Sequence, residues 1–191
     1  DINKGITSIT YNHLNQPVKI VQEGQKRTEY LYTATGGMLR CRTYNKEGAL
    51  EDVTKYSGAF VYEYNQLSYI NIPGGRIIAA NNEYQYNLTD HLGNVRVTFK
   101  DNGNGDAVAV QEDHYYPFGL RMSGMHYDTG SLMNKFLFNG KELQDQTNYI
   151  DYGFRQYDPQ IARWHVIDAM AESYASQSPY HFAGNNPISN V

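Results

Sequence analysis

Apolar and polar positions alternate along this chain in short runs, and clusters of Asn, Asp and Gly separate the runs. A period of two places successive side chains on opposite faces of a strand. One unit recurs: Tyr, a few polar residues, an Asn, Asp or Gly, then a second alternating run. Ile9-Thr10-Tyr11 passes through Asn15 to Val18-Lys19-Ile20. Tyr30-Leu31-Tyr32 passes through Gly36-Gly37 to Met38-Leu39-Arg40. Tyr84-Gln85-Tyr86 passes through Asp90 and Gly93 to Val95-Arg96-Val97-Thr98-Phe99, and His114-Tyr115-Tyr116-Pro117-Phe118-Gly119-Leu120 is a shorter member. Residues 55–69 and 75–79 read as further strands. In each unit the central Asn, Asp or Gly supplies the positive φ of a tight hairpin turn. The pattern therefore predicts an all-β chain of antiparallel hairpins over residues 6–154, with turns near Asn15, Gly36, Gly93 and Asn104. Helix is expected only as short pieces at residues 162–164 and 170–176. A ribbon of hairpins with one apolar face has to curl or stack to bury it.

Composition supports strands. Tyr outnumbers the other aromatics, 18 against 7 Phe and 1 Trp. A Tyr ring packs on a half-buried sheet face while its hydroxyl reaches water or a carbonyl. The charge balance, 16 Lys and Arg against 20 Asp and Glu, leaves a net charge of -4 with no basic block, so no nucleic-acid partner is expected. Cys41 is the single cysteine, which excludes a disulfide within the chain and a thiolate zinc cluster. No apolar run is long enough for a membrane-spanning helix. No leader of basic then apolar residues opens the chain, so any export signal is expected outside this sequence.

Candidate chemistry is sparse. The run Asp101-Asn102-Gly103-Asn104-Gly105-Asp106 has the flavour of a calcium loop, but Gly falls where oxygen ligands are needed, and a polar hairpin turn fits better. His13, His91, His114, His126, His165 and His181 are scattered without zinc-ligand spacing. Gly74-Gly75 follows Pro73 and reads as a turn rather than a phosphate loop. No cofactor and no metal are expected.

The repeated unit Tyr86-x-x-x-Asp90-x-x-Gly93-x-Val95 resembles the YD repeat of bacterial Rhs proteins, insecticidal toxin-complex C subunits and animal teneurins. The last third is similar to the Rhs repeat-associated core. Its Phe138-Asn139-Gly140-Lys141-Glu142 leads to Tyr152-Gly153-Phe154-Arg155-Gln156-Tyr157-Asp158-Pro159, then Arg163-Trp164, Asp168 and Asn185-Asn186-Pro187. The resemblance divides the chain into a YD-repeat region, residues 1–112, and a core, residues 113–191. It implies part of a curled β-shell with a short mixed plug, from a secreted or cell-surface bacterial protein. Such a shell encloses or presents a variable C-terminal domain absent from this chain. The implied partners are that cargo, and immunity or secretion-system proteins.

The resemblance also implies an alternative, in which the core acts on its own chain as an aspartyl-type protease. One of its two aspartates aligns with Asp168, and the second falls in a segment beyond Val191. Where the family carries Pro after the first aspartate, this chain has Ala169. Read from the residues alone, Asp168 is equally a turn or cap residue. Arg155 and Arg163 flank the Tyr157-Asp158-Pro159 turn, where a guanidinium can orient a carboxylate or simply tie turn to strand. Asp158 before Pro159 reads as turn chemistry and Trp164 as a core anchor. A third reading, implied by the teneurin-like relatives, is a surface module that binds carbohydrate or a receptor.

Overall fold

A computed structural model describes residues 1–129 and 132–190. They form two compact units, Asp1–Glu83 and Tyr84–Val191. The fold is antiparallel β, and among the described residues helix occurs only as single 3-10 turns such as Ala171–Tyr174. Among the described residues no helix is long and apolar enough to cross a membrane.

The first unit is a meander: β1 (Ile6–Tyr11), β2 (Pro17–Gln22), β3 (Arg27–Tyr32), β4 (Met38–Tyr44), β5 (Leu50–Ser57), β6 (Phe60–Glu63), β7 (Gln66–Ile72) and β8 (Gly75–Ile78). Each strand pairs antiparallel with the next in the chain. Register places Tyr30, Cys41 and Thr54 side by side, and likewise Val61, Tyr69 and Ile78. This face is buried, and it carries Thr28, Thr43 and Arg76 alongside its apolar residues. Arg76 lies over the Tyr69 ring, 5.3 Å from its centroid. Burial lowers the guanidinium's pKa, with Tyr69 the largest opposing influence.

One turn recurs where strands reverse. The amide of its first residue donates to the carbonyl four residues on, and the amide of its fourth donates back to the first. Residues 12–16, 33–37, 45–49, 90–94, 116–120 and 137–141 all close in this way, and residues 102–106 make the first of the two bonds while the Gly105 amide donates to Asp101 Oδ1. The fourth residue has positive φ each time: Asn15, Gly36, Gly48, Gly93, Gly105, Gly119 and Gly140. The geometry is that of a three-residue hairpin loop with a left-handed residue before the returning strand. In four of these turns an Asn, Asp or Thr at the first position accepts the fifth residue's amide at 2.9–3.0 Å: Asn12, Thr33, Asn45 and Asp90. The side chain thus occupies an amide that the strands leave over.

The second unit opens with β9 (Glu83–Thr89), β10 (Val95–Asp101), β11 (Ala107–Glu112) and the short β12 (Tyr127–Asp128), paired in that order. A second sheet follows, with β13 (Glu142–Gln144), β14 (Tyr149–Asp151), β15 (Gln156–Asp158) and β16 (Arg163–Trp164) in sequence order. The turns near Asn15, Gly36, Gly93 and Asn104 form as the alternation predicts, and Ala171–Tyr174 lies within the helical piece expected at 170–176. The helical piece expected at residues 162–164 does not form. Ala162 takes φ 57 and reverses the chain, and Arg163–Trp164 becomes a strand paired with Asp158 and Tyr157. Pairing with β15 overrides the local preference.

A contrast between two turn glycines tests this account. A Cβ at Gly93 meets nothing within 4 Å, whereas one at Gly119 falls 2.5 Å from Phe138. Gly93→Ala is expected to cost about 1–2 kcal/mol for the left-handed backbone. Gly119→Ala is expected to cost about 2–5 kcal/mol, because displacement of Phe138 is added. Denaturant unfolding of the two variants measures the difference.

Candidate functional site

Cross-strand register in the second sheet aligns Leu143, Ile150, Tyr157 and Trp164 on one face. That face packs into the unit's core, with Val95, Tyr115, Leu137, Phe138 and Phe182. Tyr157 is fully buried, stacked on Phe182 at 4.1 Å between centroids. Trp164 meets Tyr152 edge-on at 5.0 Å. Buried hydroxyls need acceptors. Tyr157 donates to Phe118 O at 2.8 Å, Tyr115 to Val95 O at 2.7 Å, and Tyr152 to the Asn139 side chain at 2.6 Å. Burial pushes the pKa of all three upward, so they remain neutral donors.

A buried polar network pins the segment before this sheet. Asn134 donates from its amide to Gln111 Oε1 at 2.7 Å and from its side chain to Asn87 at 3.1 Å. Asn139 joins its own turn to that of Asp90: its side chain donates to Leu92 O, and its backbone amide to the Asn94 side chain, both at 2.9 Å.

Arg155 enters β15 from the turn at Gly153, where φ is 87. Its guanidinium lies over Trp164, 4.1 Å from the ring centroid. It also donates to Asp168 Oδ2 at 2.7 Å. The other oxygen, Oδ1, accepts the Met170 amide at 2.9 Å. Chiefly that amide, and then Arg155, holds the Asp168 carboxyl below the usual carboxylate range against its partial desolvation. Asp168 is thus both a cap for the following turn and the partner of an arginine. Its backbone amide donates to Pro179 O at 3.0 Å, which ties it to the segment carrying His181.

Asp168, Arg155 and Trp164 line an open cleft of about 680 Å³. Sequence reasoning missed His181, Tyr174, Gln177 and Asn190, which also line it. None of these stands at a recurring spacing, so no signal in the chain marks them. Arg163 is not among the lining residues; it donates to Ser178 Oγ at 3.1 Å. Asp151 and Asp158 stand elsewhere. Asp151 accepts the Gly153 amide at 2.7 Å, and burial raises its pKa. Asp158 is fully buried, accepts the Gln160 amide at 2.9 Å, and lies 3.8 Å from His165 Nε2. Asp168 is the single carboxylate among the described residues lining the cleft. Asn185-Asn186-Pro187 forms the turn its composition predicts, with the Asn185 and Asn186 amides donating to Phe182 O and Ala183 O.

Comparison with known proteins gives one curated relative and a group of solved structures. Salivary gland surface protein 1 of Aedes aegypti is 31% identical over 212 residues, a match that takes in 100% of this chain and 6% of that protein. A chain in the Photorhabdus luminescens Tc holotoxin pore, which carries a TccC3 mutation, superposes with a TM-score of 0.76 at 17% identity, over 98% of this chain and 10% of that one. The crystal structure of TcdB2-TccC3-TEV gives 0.74 at 17% identity, over 96% and 10%. These structures share the fold with this chain, which spans a small fraction of each relative's length. No protein-family model matches the chain.

The Asp168 pair has a titration signature. A carboxylate with depressed folded pKa contributes stability that is present above its unfolded pKa and lost as pH falls through the folded value. Wild-type Asp168, followed by its side-chain carboxyl resonance, is expected to titrate below the ordinary 3.8. Arg155→Gln is expected to move that midpoint upward. An unmoved midpoint shows that the guanidinium contributes nothing to the carboxylate's ionisation.

Proposed function

We propose that this chain is a wall segment of a large Rhs-like β-shell that encloses or presents a separate C-terminal polypeptide. The observation that carries the reading is the meander itself: strands follow in chain order, several of them joined by one recurring turn, with a buried face holding polar and apolar residues together. A ribbon of this construction extends by adding hairpins. Its likeness to a tenth of chains from Tc toxin complexes supports a segment of a longer shell. The partners on this reading are other toxin-complex components and the enclosed polypeptide, with immunity or secretion proteins acting on the whole. Secretion or display at a bacterial surface accords with this, and the mosquito relative is itself named a surface protein.

The reading is tested on the longer polypeptide it requires. The segment downstream of this chain is expected to resist protease in the intact parent, under conditions that digest the same segment made alone. Equal digestion of the two sinks the enclosure.

A second reading follows from the Arg155–Asp168 pair at the cleft wall. Asp168 serves as the ionised member of an aspartyl pair, with a second carboxylate arriving from sequence beyond Val191. Two close carboxylates share a proton, one acting as acid while the other activates water. Arg155 keeps its partner ionised. Self-processing of the parent is then expected at a rate independent of protein concentration, and abolished by Asp168→Asn with the β-sheet circular dichroism unchanged. Processing of that variant at the wild-type rate returns Asp168 to its role as a cap.

A further inference from the structure

The face of the first sheet opposite Tyr30, Cys41 and Thr54 gathers cations that stand apart in the sequence. Register assembles them. One row across β3 to β7 reads Leu31, Arg40, Lys55, Tyr62 and Leu67. The next, across β2 to β4, reads Lys19, Glu29 and Arg42. Arg27 precedes Glu29 by two positions on β3 and so shares its face. These positions hold five cations and one carboxylate, in a chain whose net charge is -4. The carboxylate is already occupied. Arg27 Nε donates to Glu29 Oε1 at 3.0 Å, and the Arg27 guanidinium lies 3.9 Å from the Tyr44 ring centroid. Among the described residues no ion pair engages Lys19, Arg40, Arg42 or Lys55. Lys19 is exposed and the other three are half-buried.

Like charges directly opposite on neighbouring strands destabilise a sheet. Arg40 faces Lys55 in that way, and Arg42 stands two residues further along β4, about 7 Å away. Their own rows supply no free counter-charge, so a bound anion relieves the repulsion. We infer that this face docks an acidic polypeptide segment. Charge complementarity sets the sign of the partner. Spacing sets its kind. Alternate side chains of an extended peptide repeat at the same distance of about 7 Å, so carboxylates two residues apart meet Arg40 and Arg42 together. A guanidinium matches a carboxylate bidentately. Apolar positions flank the cations in one row, with Leu31 and Leu67 44% and 36% exposed, and these receive the apolar side chains of a peptide. A nucleic-acid backbone bears a charge at every unit and brings some of it against Glu29. A peptide can set a neutral residue there. The inference rests on the first unit alone and is independent of both the enclosure reading and Asp168.

The 191-residue chain is titrated against a fluorescein-labelled peptide of repeating Glu-Ser-Glu-Leu, its Gln-for-Glu counterpart and a labelled oligothymidylate of equal charge, each read by anisotropy. Sedimentation with phosphatidylserine vesicles gives the lipid arm. The acidic peptide is expected to saturate with a Kd of about 100 μM or tighter in low salt, and to weaken about tenfold in high salt as screening sets in. Arg40→Gln and Lys55→Gln are each expected to weaken it about threefold, and the double variant about tenfold. Lys100→Gln removes the same charge from β10, in the second unit, and leaves the affinity unchanged. Four results overturn the inference: the acidic peptide does not saturate, its Gln counterpart binds as tightly, the oligonucleotide or the vesicles bind more tightly, or the double variant keeps wild-type affinity. Circular dichroism of each variant separates lost binding from lost fold.

Discussion

A strand's backbone amides and carbonyls must be paired, and in this molecule the turn decides what pairs them. Two backbone hydrogen bonds, repeated from residues 12–16 to residues 137–141, return the chain at once beside the segment it has just left. The hairpins β1–β2, β3–β4, β4–β5 and β9–β10 all rest on that reversal. The left-handed residue at the fourth position is the geometric requirement, and the first residue's side chain, where it is Asn, Asp or Thr, occupies the amide that would otherwise be unanswered. The return is so tightly specified that the irregularity falls beside the turn, as a register shift at Thr10/Tyr11, Leu31/Tyr32 and Thr43/Tyr44.

The same economy positions the cleft. Register along β13 to β16 sends Leu143, Ile150, Tyr157 and Trp164 into a shared core. Trp164 is thereby held, and Arg155, one residue ahead of β15, is brought over its ring. Asp168 completes the arrangement from the far side, held by Met170 and Pro179 through the backbone. The aromatic core and the polar cleft are two sides of one packing solution.

Much of this was legible in the chain. Asn15, Gly36 and Gly93 announce their turns, because few residues tolerate positive φ. The turn at Asn45 and Gly48 follows the spacing of Asp90 and Gly93 and was open to the same reading. Asp168 stood out through family resemblance and Arg155 through its place beside the Tyr157-Asp158-Pro159 turn, and the structure brings them together, while Arg163 turns to Ser178. His181, Tyr174, Gln177 and Asn190 were silent, because irregular segments carry them to the cleft and no periodicity marks such residues. The buried hydrogen bonds of Asn87, Thr98, Gln111 and Asn134 were equally hidden. A polar residue on a strand reads as solvent-facing until a second segment lies over it. The short strand at Arg163–Trp164 replaced an expected helical turn, because Ala162 takes a positive φ and turns the chain back onto β15.

Short returns between neighbouring strands also set an order of events. Strands β1 to β8 find their partners among residues just synthesised: Ile9 opposite Ile20, Leu31 opposite Arg40, Ser57 opposite Phe60. Short loops close at small entropic cost, and chains rich in local contacts fold quickly. The second unit is different. Tyr157 must find a carbonyl 39 residues back, and Asn139 one 47 back. A chain leaving the ribosome can therefore lay down its ribbon hairpin by hairpin, while the cleft assembles only after the last of its sequence has emerged.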